Sequence, residues 1–207
     1  MKAIYTQPLH SGCTYHVFNQ GNNGEDLFKA ERNYFYFLQK YQEFIVPVAH
    51  TYAWCLLPNH FHFLIQFKDY QSLHEYLPKR FPAPPTCITK SEDIATSEEV
   101  AYNELVSYEL SRQFANFFSG YTRAVNNAYN RRGKLFSVPF GRIQVQDERY
   151  FEWLICYIHR NPIHHGFCKN FEQWNYTSYH EINGSFDGDK IADNTQSTVS
   201  NLIPKLC

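Results

Sequence analysis

His60 and His62 stand two apart in the run His60-Phe61-His62-Phe63-Leu64-Ile65. On a β-strand that spacing puts both imidazoles on one face and Phe61, Phe63 and Ile65 on the other. Side by side, two imidazoles can bind one metal ion while the apolar face anchors the strand. A half-exposed strand with two histidines and no ligand has the same pattern, so the pair alone leaves both readings open. A second pair lies far downstream, where Tyr157 and Asn161 are four apart on a helical segment and point to a common spot. Asn161 offers a neutral amide oxygen as a third metal ligand. Tyr157 offers a phenol able to attack phosphorus, and the phosphotyrosine formed conserves the energy of the broken phosphodiester for a later joining step. Tyr157 is one of 16 tyrosines, so simple packing also accounts for it.

These residues need a scaffold, and the chain spells one out. Thr14 to Gln20 mixes β-branched, aromatic and polar residues and ends in Gly21-Asn22-Asn23-Gly24, a strand closed by a turn. Leu27 to Phe44 carries apolar residues at helical spacing (Phe28, Phe35, Leu38, Tyr41). Val46 to Leu57 and His60 to Phe67 form a hairpin about Pro58-Asn59. Lys68 to Thr96 holds Pro78, Pro82, Pro84 and Pro85 and reads as an insertion, with room for a short helix near Leu73 to Leu77. Ser97 is a suitable cap for a long helix reaching Asn130, with Gly120 as a point where it can break. Leu135 to Val145 predicts an edge or bulged strand, because Pro139 interrupts it. Asp147 can cap a helix from Glu148 to Arg160, with Phe151, Leu154, Ile155 and Ile158 as its apolar stripe and Pro162 as its stop.

Strand, helix, strand, strand, helix, strand, helix is the order of an α+β fold with an antiparallel sheet and helices gathered on one face. Residues 1–184 are expected to form a single domain, with 68–96 inserted into it and the polar 185–207, including Asp187 to Ser200, as a mobile tail. No internal repeat is visible.

Composition bounds the rest. No apolar run approaches a membrane span and the N-terminus has no leader pattern, which predicts a cytoplasmic protein. Six cysteines without a C-x-x-C pair indicate neither a disulfide framework nor a zinc ribbon. The net charge of -1 argues against nucleic-acid binding only on average. Gly120 to Val145 holds Arg123, Arg131, Arg132, Lys134 and Arg142 and no acidic residue, whereas Glu92 to Glu109 is rich in carboxylates. The five cations are the candidate phosphate contacts, and Phe136, Phe140 and Tyr150 are candidates to stack on bases. Each basic residue also fits solvated surface, and each aromatic also fits core. His16, His159, His164 and His165 read as structural or surface positions.

Four segments occur in one order: Tyr15-His16-Val17 with Asn19-Gln20-Gly21-Asn22, then Trp54-Cys55-Leu56-Leu57-Pro58-Asn59-His60-Phe61-His62, then Tyr157-Ile158-His159-Arg160-Asn161-Pro162, then Trp174-Asn175-Tyr176-Thr177-Ser178-Tyr179. Together they resemble the IS200-like single-tyrosine transposases of the HUH endonuclease superfamily, above all the REP-associated branch. The resemblance runs from Cys13 to Tyr179. It implies a ferredoxin-like sheet crossed by a tyrosine-bearing helix near the C-terminal end. It also implies Mg or Mn held by His60, His62 and Asn161, and Tyr157 as the nucleophile that nicks and rejoins single-stranded or hairpin DNA through a 5′-phosphotyrosine. Proteins of this kind are monomers or homodimers that exchange the tyrosine helix. The pattern departs at Gln20, where basic residues are usual. Two other readings stand beside it: a catalytically silent DNA-binding protein of the same fold, and an unrelated His-based phosphoesterase, which would need a third histidine at position 64, where the chain has Leu64.

Overall fold

The computed structural model describes residues 6–77 and 97–182. Most of the proline-rich insertion, and the whole of the tail, lie outside the described residues. Four strands, β1 (Thr14–Gln20), β2 (Ala49–Leu57), β3 (His60–Phe67) and β4 (Gly141–Val145), form one antiparallel sheet in the order β2-β3-β1-β4. Helix α1 (Glu31–Phe44) connects β1 to β2, and the hairpin from β2 to β3 turns at Pro58-Asn59. A short α2 (Tyr70–Tyr76) and the long α3 (Ser97–Ala128) lie between β3 and β4. Helix α4 (Glu148–His164) follows β4, and a last turn, α5 (Tyr179–Ile182), ends the described chain. This is the α+β arrangement that the element order implies, with the ferredoxin-like sheet that the family resemblance implies.

Both faces of the sheet are apolar, and both are covered. Val17, Phe61, Phe63 and Ile65 face a core shared with Tyr34, Phe37 and Tyr41 of α1 and Leu110, Phe114 and Phe117 of α3. Ala53, Cys55, Leu57 and Leu64 point the other way and are buried by Leu154, Ile155 and Ile158 of α4. The expectation of helices on one face is therefore corrected. Leaving Leu64 and its neighbours in water would forgo about 25 cal/mol for each Å² of apolar surface, and α4 supplies the cover.

Local differences from the sequence reading have simple causes. Helix α1 begins at Glu31 rather than at Leu27, because the N–H groups of Leu27 and Phe28 both donate to the Pro58 carbonyl. Its inward stripe is Tyr34, Phe37, Leu38 and Tyr41, while Phe35 is 40% exposed. Helix α3 runs through Gly120 without a break. Strand β4 starts only at Gly141, since Pro139 has no ladder donor, and Phe136 makes just an isolated bridge to Gly21. Helix α4 continues past Arg160, with Pro162 inside its final turn. Cys13, Cys55 and Cys168 are free thiols. No helix among the described residues is long and apolar enough to cross a membrane.

The segment Trp174 to Tyr179 is the element whose role the sequence left blank. It closes the β2 edge of the sheet, with Leu56 N–H donating to the Tyr176 carbonyl and Ser178 N–H donating to the Trp54 carbonyl. Trp174 Nε1 donates to the Leu56 carbonyl, and Thr177 Oγ1 to the Trp54 carbonyl. His159 of α4 is bonded to Ser178 Oγ at 2.8 Å, tying the tyrosine helix to this cover.

Candidate active site

Alternation along β3 puts His62 and Leu64 on the α4 side of the sheet, and pairing with β1 sets Phe18 opposite His62 and Gln20 opposite His60. On α4, apolar anchoring by Leu154, Ile155 and Ile158 turns the flank bearing Tyr157 and Asn161 toward the same strand. The four residues therefore meet in one chain. The Tyr157 ring centroid lies 5.6 Å from that of His62, at 77° between planes. The His60 and His62 rings are 5.4 Å apart. His60, His62, Asn59, Gln20, Phe18 and Gly141 are among the residues lining a cavity of about 500 Å³.

Each of the two histidines is held from behind. His60 Nδ1 lies 2.7 Å from Asn59 Oδ1, so it is the protonated nitrogen and donates there. The Asn161 side chain also interacts with the His60 ring, and the single lone pair on Nε2 is what His60 could offer a cation. His62 Nδ1 is 3.0 Å from Nε2 of His16, a buried residue on β1. Asn161 is buried, and its Nδ2 donates to the Tyr157 carbonyl at 2.8 Å, so Oδ1 is the atom it could offer a metal.

Burial, then His165 nearby, hold the His60 imidazole down to about 4, with the bond to Asn161 pulling the other way. Burial, then His16, His60 and His165, put His62 well below the ordinary histidine range. Both rings are thus neutral at neutral pH, the form that coordinates metal. Among the described residues no group of three or more His, Cys, Asp or Glu side chains could hold a metal. The available donor set is two imidazoles and one amide oxygen, which suits a cation that keeps waters and substrate oxygens in its remaining positions.

The structure adds Trp153, which has no role in the sequence pattern, and His165, which reads as a structural or surface position in the sequence. The His165 ring sits 4.8 Å from that of His60. Trp153 is 54% exposed and stacks on Tyr157 at 4.9 Å and 14°. Trp153, Tyr157, Asn161 and His165 recur every fourth residue, a stripe along one helical face that was visible in the sequence. Leu64, where a phosphoesterase would need its third imidazole, is fully buried against α4.

The five candidate phosphate contacts divide into two kinds. Arg123, Arg131, Arg132 and Lys134 line a second groove of about 790 Å³ with no carboxylate in its wall, and Asn19 lines both this groove and the histidine cavity. Arg123, Arg132 and Lys134 are exposed and make no ion pair among the described residues. Arg131, in contrast, is occupied by the Glu25 carboxylate, Asn126 and the Lys134 carbonyl. Arg142 lies outside the groove, donates to the Gln7 carbonyl and covers the Phe140 ring at 4.8 Å. Phe136 and Phe140 also line the groove, although Phe136 is buried.

No protein-family model matches the sequence, and no curated protein matches it. A solved structure, that of a REP-associated tyrosine transposase bound to a REP hairpin, is similar in fold, with a TM-score of 0.51 over 96% of this chain and 96% of that one, at 15% sequence identity.

Proposed function

We propose that the protein is a metal-dependent enzyme that nicks and rejoins single-stranded DNA at hairpin or palindromic sequences, as a transposase or nickase working through Tyr157. The observation that carries this reading is the 5.6 Å approach of the Tyr157 ring to His62 within a single chain. The likeness in fold to a hairpin-bound tyrosine transposase supports DNA as the substrate.

In the reaction, Tyr157 Oη attacks the phosphorus of a phosphodiester and its proton passes to solvent. The bond from phosphorus to the 3′ oxygen breaks, the 3′ oxygen leaves with the electron pair and takes up a proton, and the 5′ phosphate stays on Tyr157. A 3′ hydroxyl attacking that phosphotyrosine reverses the step and joins the strand. Asn161 fixes the helical turn that presents Tyr157, through its bond to the Tyr157 carbonyl. Trp153, stacked on Tyr157, limits the swing of its ring. His60, His62 and Asn161 would hold Mg or Mn, which when bound supplies positive charge to the scissile phosphate. Arg123, Arg132 and Lys134 are the groups free to bind the flanking backbone.

Incubation of the protein with Mn and an end-labelled single-stranded hairpin is expected to give a covalent adduct that survives denaturation and is lost in Tyr157→Phe. Nicking that persists in Tyr157→Phe would falsify the assignment of the nucleophile. His60→Ala should lose cleavage while keeping hairpin binding. Binding with no adduct under any divalent metal would instead favour a silent DNA-binding protein.

A further inference from the structure

The contact between His16 and His62 is between two ring nitrogens, 3.0 Å apart and buried. Such a contact holds one proton, so one ring donates and the other accepts. Two arrangements satisfy it. If His16 Nε2 carries the proton, His62 accepts at Nδ1, must be protonated at Nε2, and has no lone pair for a cation. If His62 Nδ1 carries it, His62 Nε2 has its lone pair free. His62 lines the histidine cavity, and Nε2 has no protein partner among the described residues. The other motif histidine is organised in the same sense, because Asn59 Oδ1 can only accept from His60 Nδ1.

We infer that His16 is a positioning residue for the metal site: its Nε2 accepts the proton of His62 Nδ1 and so fixes the tautomer in which His62 Nε2 faces the cavity as a ligand. The inference rests on the nuclease reading of Tyr157 and the two histidines, and adds the group that prepares one of them. The geometry behind it is specific. His16 comes from β1, the strand paired with β3, and shares the His62 face through the register Phe18 opposite His62 and His16 opposite Leu64. The two imidazoles lie with centroids 5.1 Å apart and planes 24° from parallel. His16 also meets the Tyr157 ring edge-on at 6.1 Å, so it touches both chemical groups from beneath while being only 6% exposed itself. A ligand histidine whose second nitrogen is held in this way loses about 10- to 100-fold in metal affinity when the holding group is removed.

The test is Mn2+ binding by the full chain, measured by titration calorimetry on wild type, His16→Leu, which removes the acceptor, and His16→Gln, which restores one. His16→Leu is expected to bind Mn2+ about 10- to 100-fold more weakly, and His16→Gln to recover most of that loss. In metal-free wild type, nitrogen-15 spectra of the histidine rings are expected to show the His62 proton on Nδ1, a readout that needs no substitution and stands even if His16→Leu fails to fold. A His62 proton on Nε2 overturns the inference. So does a folded His16→Leu that binds Mn2+ as tightly as wild type, and the nuclease reading survives that result if His60→Ala loses Mn2+ and the Tyr157 adduct still forms. A wild-type protein that binds no Mn2+ and forms no adduct overturns both.

Discussion

Tyr157 of α4 and His62 of β3 face each other within one chain, their ring centroids 5.6 Å apart and their planes at 77°. No second chain is needed to bring these groups together. An equimolar mixture of Tyr157→Phe and His62→Ala is therefore expected to form no covalent adduct with a hairpin, because neither protein has a complete site. Recovery of a substantial share of wild-type adduct in the mixture would mean that helices are exchanged in solution.

Arg131 and Arg132 are adjacent in sequence and opposite in role. Arg131 is held by the Glu25 carboxylate and by Asn126, whereas Arg132 is exposed in the groove. Loss of a charge-assisted bond of this kind costs about 1.5–3 kcal/mol, so Arg131→Ala should lower thermal stability. Arg132→Ala should leave stability unchanged and weaken binding of single-stranded DNA. Each phosphate contact removed should reduce the slope of log affinity against log salt by about 0.7. Affinity measured at several salt concentrations decides the matter, and equal effects of the two substitutions on that slope would contradict the division.

The sequence made the site legible where periodicity alone positions a side chain. His60 and His62 share a face because β3 alternates, and Tyr157 and Asn161 share a face because α4 repeats. What it could not convey is tertiary register. His16 became a partner of His62 only through the pairing of β1 with β3, and Asn59 became a partner of His60 only through the shape of the hairpin turn. Helices on both faces of the sheet were missed for a related reason: the apolar residues Ala53, Cys55, Leu57 and Leu64 were read as parts of strands and not as one surface that something must cover. Arg131 and Arg142 were read by charge, and charge does not disclose that Glu25 and the Gln7 carbonyl are waiting for them.

His159 supplies a pH test of the helix that carries Tyr157. It is 1% exposed, and burial pushes its imidazole down to about 3. In the unfolded chain it titrates near 6.5, so below that pH the unfolded state binds a proton that the folded state refuses. Stability therefore falls as pH drops from about 6.5 toward the folded value, by about 1.4 kcal/mol per pH unit for this one group. Replacing His159 with Asn, which does not titrate, should flatten the melting temperature between pH 6 and pH 4 relative to wild type, at some cost in overall stability. Parallel curves for the two proteins would show that His159 is charged in the fold, contrary to its burial.

Gly141, at the start of β4, lies opposite Phe18 and lines the histidine cavity. A methyl group placed there would stand 2.3 Å from Phe18 Cε2 and 2.4 Å from Cζ, well inside contact distance. The Phe18 ring borders the histidine cavity and packs 5.0 Å from His16 and 6.0 Å from His62, so a shift of the ring reaches the site. Overpacking of this sort costs about 1–3 kcal/mol, and the displacement is directed at the two histidines. Gly141→Ala is thus expected to lower the melting temperature and to weaken Mn2+ binding together, although residue 141 offers no donor to a metal. Phe18→Leu in the same chain should relieve both effects by making space for the methyl. If Gly141→Ala binds Mn2+ normally, or if Phe18→Leu fails to rescue it, the ring of Phe18 is not the link between β4 and the site.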